Sequence, residues 1–220
     1  MGAEGGGWLV IAVITVALVG AYLWLSGGAG QEVVELQPGQ EIEVEGRPFQ
    51  GSENAEVVIV EFSEFQCPYC KLYYNGAYQQ IKSEYVETGK VKYYFKHLPL
   101  TSMHPMAEKA GEAVECAADQ ELFWELHDVL FDRQTEGRAL GSVDDIKQWA
   151  SGVEGLDREA FDRCLDSGEK AGLVEADFEE GAGLMGGRVA TPSFFINGRL
   201  IQGAYPFETF KQIIDAELAG

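Results

Sequence analysis

FSEFQCPYC, residues 62–70, decides how this chain is read. It sets a Cys-x-x-Cys pair, Cys67 and Cys70, between two different apolar patterns. Upstream, Val57-Val58-Ile59-Val60 is a short β-branched run that predicts a buried strand. Downstream, Leu72, Tyr73, Gly76, Tyr78, Ile81, Tyr85 and Val86 trace a rough helical stripe, which predicts a helix from Cys67 to about Glu87. The pair therefore sits where a strand turns into a helix. Free N–H groups and the helix dipole at such a terminus favour an anion, here the thiolate of Cys67, the reactive form of a cysteine. Pro68 suits the first helical turn, since the N–H it lacks would have no partner there.

Two plainer readings of the pair compete. A zinc half-site calls for a second Cys-x-x-Cys or a His pair, whereas Cys116 and Cys164 stand singly, 48 residues apart. No metal site is expected. An inert disulfide is disfavoured by a location that activates thiols. Four cysteines allow three pairings; local spacing favours Cys67–Cys70, which leaves Cys116–Cys164. Each of the latter two falls in an apolar helical stripe, so a pair of unlinked core thiols is the alternative.

The chain has 220 residues, 46% of them hydrophobic, enough for one packed domain with an insertion. Sixteen Lys and Arg against 36 Asp and Glu give a net charge of −20, which argues against nucleic acid as a partner. The charge is spread along the chain and reads as a solvated acidic surface. Lys71 is the only positive charge beside the pair in sequence, so thiolate stabilisation is expected mostly from the helix N-terminus and local N–H groups.

A short tail, residues 1–7, precedes an uncharged run, WLVIAVITVALVGAYLWL, residues 8–25. Its length just suffices to span a bilayer as a helix, and Trp8, Tyr22 and Trp24 bracket it as interfacial anchors would. A membrane anchor is expected there, with a cleaved signal peptide as the alternative. Basic residues do not orient the span; the cysteines favour an oxidising compartment, hence an extracytoplasmic domain on a single-pass membrane protein. Residues 26–56, rich in Gly, Glu and Gln, read as a tether, with a possible edge strand at Glu41-Ile42-Glu43-Val44.

Val91–Lys96 reads as a second strand. From about 104 to 188 the pattern is helical throughout. Ser142 followed by Asp145 signals a helix through Trp149, and Asp157 with Gly168 brackets another carrying Phe161, Cys164 and Leu165. A further helix is expected from Glu169 to Leu184. Ser193–Ile196, Asn197-Gly198 and Arg199–Gln202 read as a hairpin with a type I′ turn, and Phe207, Phe210, Ile214 and Leu218 stripe a last helix. The order is that of an α/β domain, residues 57–220, with a helical insertion.

With these elements in place, the chain resembles the DsbA-like thiol:disulfide oxidoreductases of the thioredoxin superfamily, in particular membrane-anchored members. The carriers are VVIVEFSEFQCPYC (57–70), the HP-x-A-x-x-A stretch from His104, CAADQELFWELHDVLF (116–131), FDRCLDSG (161–168) and VATPSFFINGRLIQGA (189–204). The resemblance implies a thioredoxin-like fold with an inserted all-helical subdomain, a redox-active Cys67–Cys70 disulfide and no other cofactor. It makes Cys67 the nucleophile, Cys70 the buried resolving thiol, and Pro68 and Tyr69 the dipeptide that tunes them. Thr191-Pro192 looks like the family's cis-proline loop beside substrate; from sequence alone a turn or edge-strand proline is the default. Glu61, six residues before Cys67, stands where the superfamily has a buried acid, although alternation with Val60 and Phe62 also permits a solvent-facing side chain. Glu64 reads as a surface charge, and His97, His104 and His127 as surface or capping residues. The resemblance also favours a structural Cys116–Cys164 disulfide.

The implied function is an oxidase that passes its disulfide to thiols of unfolded or newly exported proteins and is reoxidised by a membrane redox partner. A reductase or isomerase of the same fold reverses the flow. A non-enzymatic, membrane-tethered binding or chaperone module would need neither thiol.

Overall fold

The computed structural model describes residues 35–37 and 39–220. The expected tail and membrane span, residues 1–7 and 8–25, lie outside these. Among the described residues no helix is long and apolar enough to cross a membrane.

The β-branched run predicted at 57–60 forms the centre of a five-stranded sheet. Strands β1 (Phe49–Gly51), β2 (Val57–Ser63), β3 (Val91–His97), β4 (Ser193–Ile196) and β5 (Arg199–Gln202) lie in the order β1-β3-β2-β4-β5. β2 runs parallel to β3 and antiparallel to β4, while β1 and β5 close the edges antiparallel to β3 and β4. The parallel pair needs a crossover. Helix α1 supplies it, α-helical over Pro68–Tyr73 and Gln79–Ile81 and π-helical over Tyr74–Tyr78 and Lys82–Val86.

Because side chains alternate across a strand, β2 and its neighbours feed two cores. Val57 and Ile59 of β2, Tyr93 and Phe95 of β3, and Phe194 and Ile196 of β4 join the larger one, with α1, the helical block and the last helix, α7 (Phe207–Leu218). Val60, Phe62, Tyr94 and Phe195 point the other way and meet Leu98 and Met185. The helical block consists of α2 (Ala107–Ala118), α3 (Phe123–Thr135), α4 (Val143–Ala150), α5 (Arg158–Ser167) and α6 (Ala171–Leu184). Its expected caps are present. Ser142 Oγ accepts from Asp145 N at 3.2 Å, Asp157 Oδ1 accepts from Ala160 N at 3.1 Å, and Gly168 ends α5 at φ +71°. α6 crosses β2 closely enough that a Cβ on Gly181 would lie 2.7 Å from the Phe62 ring, which leaves room there for glycine alone.

The stretch expected as a tether differs from expectation where it is described. Glu41–Val44 is not a strand; the edge strand lies at Phe49–Gly51. Side chains satisfy the backbone at 43 instead: Glu43 N donates to Glu180 Oε1 at 2.7 Å, and its carbonyl accepts from Lys96 Nζ at 2.9 Å. Leu36, Ile42 and Val44 pack on the second core. Arg47 then plugs into the domain, 2.6 Å from Asp177 Oδ2 and 3.0 Å from Glu115 Oε1. Lys96 Nζ lies 3.1 Å from Asp177 Oδ1 and also pairs with Glu180.

Cys116 of α2 and Cys164 of α5 are joined by a disulfide with Cα atoms 5.8 Å apart. It closes a separation of 48 residues, long enough to restrict the unfolded chain strongly. Replacing both cysteines by alanine is expected to lower unfolding stability by about 2–4 kcal/mol, read from the denaturant midpoint at unchanged slope.

Candidate redox site

The site grows from the end of β2. Glu61 occupies the strand centre, paired with Phe95 on one side and Phe194 on the other. Ser63 ends the strand. Phe65, fully buried, stacks on Phe95 with centroids 5.3 Å apart and tilts against Phe131 at 5.0 Å, which anchors the turn. Gln66 ties the same turn to the helical block, accepting from Met106 N at 2.6 Å and donating to the Leu140 carbonyl at 2.8 Å. Cys67 is the N-cap of α1, in extended conformation, and Pro68 takes the first helical position. Cys67 and Cys70 are free thiols.

The two sulfurs are treated oppositely. Cys67 is lowered to about 5, first by the Cys70 thiol that donates to its thiolate; burial opposes this, and Thr191 and the N–H groups of Cys70 and Tyr69 assist. The expectation that backbone N–H groups would dominate is thus corrected: the neighbouring thiol comes first. Cys70, fully buried, is pushed well above the ordinary thiol value, by desolvation and then by the Cys67 thiolate.

Across from the pair, the Thr191–Pro192 peptide is cis. As a thiol, Cys67 donates to the Thr191 carbonyl at 3.5 Å. Pro192 O accepts from Gly203 N at 2.8 Å, which fastens the loop to the end of the hairpin. Tyr69 is 63% exposed on the first turn of α1.

Glu61 is buried, so its alternation with Val60 and Phe62 does not expose it. Its carboxyl is raised to about 7, by desolvation foremost, with Tyr93 and Ser63 pulling down and the charge of Cys67 pushing up. Tyr93 Oη donates to Glu61 Oε2 at 2.5 Å and lies 3.0 Å from Tyr73 Oη. Ser63, not singled out from sequence, is within reach of both the Glu61 carboxyl and the Cys70 sulfur.

Glu64 is buried as well, not a surface charge. Its carboxyl is raised to about 8, chiefly by desolvation, and pairs with His104. The other histidines are not on the surface either. His97 Nε2 lies 2.8 Å from Glu115 Oε1. His127 is enclosed by Phe65, Phe95, Trp124 and Phe131, and burial lowers its proton affinity. His97, Glu115 and Asp177 converge as metal ligands would, but the Arg47 guanidinium already contacts both carboxylates.

Comparison with known proteins agrees with this layout. A family model described as thioredoxin matches residues 43–216. The chain is 26% identical over 202 residues to disulfide bond formation protein D of Bacillus subtilis, covering 87% of this chain and 84% of that protein. It is 32% identical over 192 residues to Na(+)/H(+) antiporter NhaA 3 of Salinispora tropica, covering 87% of this chain but 28% of that protein. The chain thus spans less than a third of the antiporters it matches. Among solved structures, BdbD from Bacillus subtilis superposes with a TM-score of 0.74 at 24% identity, covering 86% of this chain and 100% of that one. For α-DsbA1 of Wolbachia pipientis the TM-score is 0.69 at 22% identity, with 80% and 92% covered. BdbD and α-DsbA1 thus share the fold of this chain, and with a matching family model over most of its length the chain belongs to the thioredoxin family.

Proposed function

We propose that the chain is a disulfide donor: an extracytoplasmic oxidase that passes the Cys67–Cys70 disulfide to thiols of exported proteins. The observation that carries this reading is the opposite displacement of the two thiols. A substrate thiolate attacks Cys67 Sγ and the Cys67–Cys70 bond breaks. Its electron pair leaves on Cys70, which takes a proton. The Glu61 carboxyl, raised to about 7, is the buried acid that can give it. The substrate's second thiolate then attacks the substrate sulfur of the mixed disulfide and expels Cys67 as a thiolate. A stabilised thiolate is a good leaving group, so release of oxidised product is favoured. Two substrate thiols are oxidised and the enzyme pair is reduced.

Pro68 and Tyr69 shape the turn that sets this balance, and Thr191-Pro192 offers backbone groups to the bound peptide. Exposed Tyr69, Leu72 and Met103, at 63%, 60% and 65%, favour an unfolded, apolar stretch of polypeptide as substrate. Cys116–Cys164 is structural. Residues 8–25 tether the domain to the membrane, and a membrane redox protein withdraws the two electrons. The antiporter names bring no ion transport to this reading, because the shared stretch is under a third of those proteins.

Equilibration of the full chain with glutathione tests the direction. A potential near about −120 mV, as in DsbA, is expected; one near about −270 mV, as in thioredoxin, would make the protein a reductase. Cys67→Ser should abolish exchange, and Cys70→Ser should accumulate mixed disulfides at Cys67. Biological activity that survives Cys67→Ser would leave only the binding-module reading.

A second test uses pH. The folded thiol of Cys67 lies below the free value of about 8.5, so thiolate stabilisation of the reduced form is complete above about pH 8.5 and is lost as pH falls through about 5. The oxidised form has no such contribution. Reduced-minus-oxidised Tm should therefore fall steadily from pH 8.5 to 5, and a pH-independent difference would refute a depressed Cys67.

A further inference from the structure

The turn that presents Cys67 is gripped by a carboxyl group that the exchange reaction does not use. Glu64 Oε2 accepts from Gln66 N at 2.6 Å, and the N–H of Cys67 also bonds the carboxyl. Two successive backbone N–H groups at the start of α1 thus face a side-chain oxygen. Left alone, that arrangement works against the chemistry. An ionised Glu64 would be a second anion close to the Cys67 thiolate, and like charges at this range disfavour each other. Burial sharpens the conflict, since the Glu64 side chain is only 2% exposed and water screens it little.

The loop before α2 carries the counterweight. His104 Nδ1 meets Glu64 Oε1 from the side opposite the backbone bonds, and its ring is 19% exposed. It can therefore exchange a proton with solvent while Glu64 cannot do so directly. The titratable groups gathered here are Cys67 and Cys70 at the start of α1, Glu61 from β2, and His104; among the described residues no Lys or Arg forms an ion pair with Glu64. Among the described residues, His104 is thus the basic side chain that reaches the carboxyl. The neighbouring links are neutral, because Gln66 holds Met106 and Leu140 through their backbone.

We propose that Glu64 and His104 form one positioning unit for Cys67, in which a single proton held between Glu64 Oε1 and His104 Nδ1 offsets the carboxyl that grips the turn, so that the grip adds no net negative charge beside the thiolate. The unit keeps the turn rigid without raising the proton affinity of the sulfur it presents. It rests on the reading of Cys67 as the reactive thiolate. Among the described residues Glu61 has no such basic partner; Tyr93 bonds its carboxyl and Tyr73 bonds Tyr93.

The test is the pH profile of iodoacetamide alkylation at Cys67 in the reduced full chain, followed by peptide mass spectrometry. His104→Gln removes the proton and leaves the carboxyl, so the midpoint should rise by about one unit, roughly a tenfold loss of thiolate below it. Glu64→Gln removes the negative charge and leaves the imidazole, so the midpoint should fall or hold. A purely structural pair would shift both variants upward by loosening the turn. Both rising, or neither moving, overturns the proposal. If either variant fails to fold, the imidazole titration of His104 in the unmodified protein decides by NMR. The midpoint should be higher in the reduced than in the oxidised form, because only the former carries the Cys67 thiolate, and equal midpoints overturn the proposal. A wild-type Cys67 midpoint near about 8.5 would defeat the thiolate reading itself, whereas a low wild-type midpoint with unmoved variants defeats the pair alone.

Discussion

Two sulfur atoms three residues apart experience opposite solvation, and the rest of the structure is arranged to keep them so. Cys70 is sealed under the first turn of α1, where a charge would be costly and the thiol holds its proton. Cys67 caps that turn, where the same Cys70 proton and two backbone N–H groups meet its charge. Neither condition survives unless β2 ends and α1 begins within a few residues of each other. Phe65 supplies that fixity by packing against Phe95 of β3 and Phe131 of α3, so the helical block becomes a wall of the turn. Gln66 adds directional bonds to the same wall.

The chain is strongly acidic, with 36 Asp and Glu against 16 Lys and Arg, yet the surroundings of Cys67 favour an anion. They do so with neutral donors. The carboxyls nearest the pair, Glu61 and Glu64, are buried and hold their protons up to about 7 and about 8. An acid that stays neutral adds no repulsion to a thiolate and remains available as a proton source. The acidic surface and the redox turn therefore coexist because burial, rather than added lysines, controls the local charge.

Much of this was legible in sequence, and the gaps have identifiable causes. The strand–helix turn, the Ser142 and Asp157 caps and the Asn197-Gly198 hairpin rest on interactions within a few residues, so short patterns announce them. Glu64 reads as a surface charge and His104 as a surface or capping residue because each looks solvent-ready in its own neighbourhood. The burial of Glu64 and the half-burial of His104 follow from contact across 40 residues of chain. His127 has the same history, since an aromatic enclosure built from three elements leaves no local signature. The alternation at 41–44 carried a real strand pattern, but the backbone there bonds to Lys96 and Glu180 side chains instead of a neighbouring strand.

Arg47 has a bearing on where the domain can be cut. Its guanidinium lies between Glu115 and Asp177, which belong to α2 and α6, and Lys96 completes the cluster from β3. An excised fragment that begins at Val57 would keep both buried carboxylates and lose a cation they were folded around. Removing one partner of such a buried set costs about 3–5 kcal/mol, a large share of a small domain's total stability. The minimal autonomous unit therefore starts ahead of Arg47, and Ile42, Val44 and Arg47, which read as part of a spacer, are a seam sewn into the far side of the sheet.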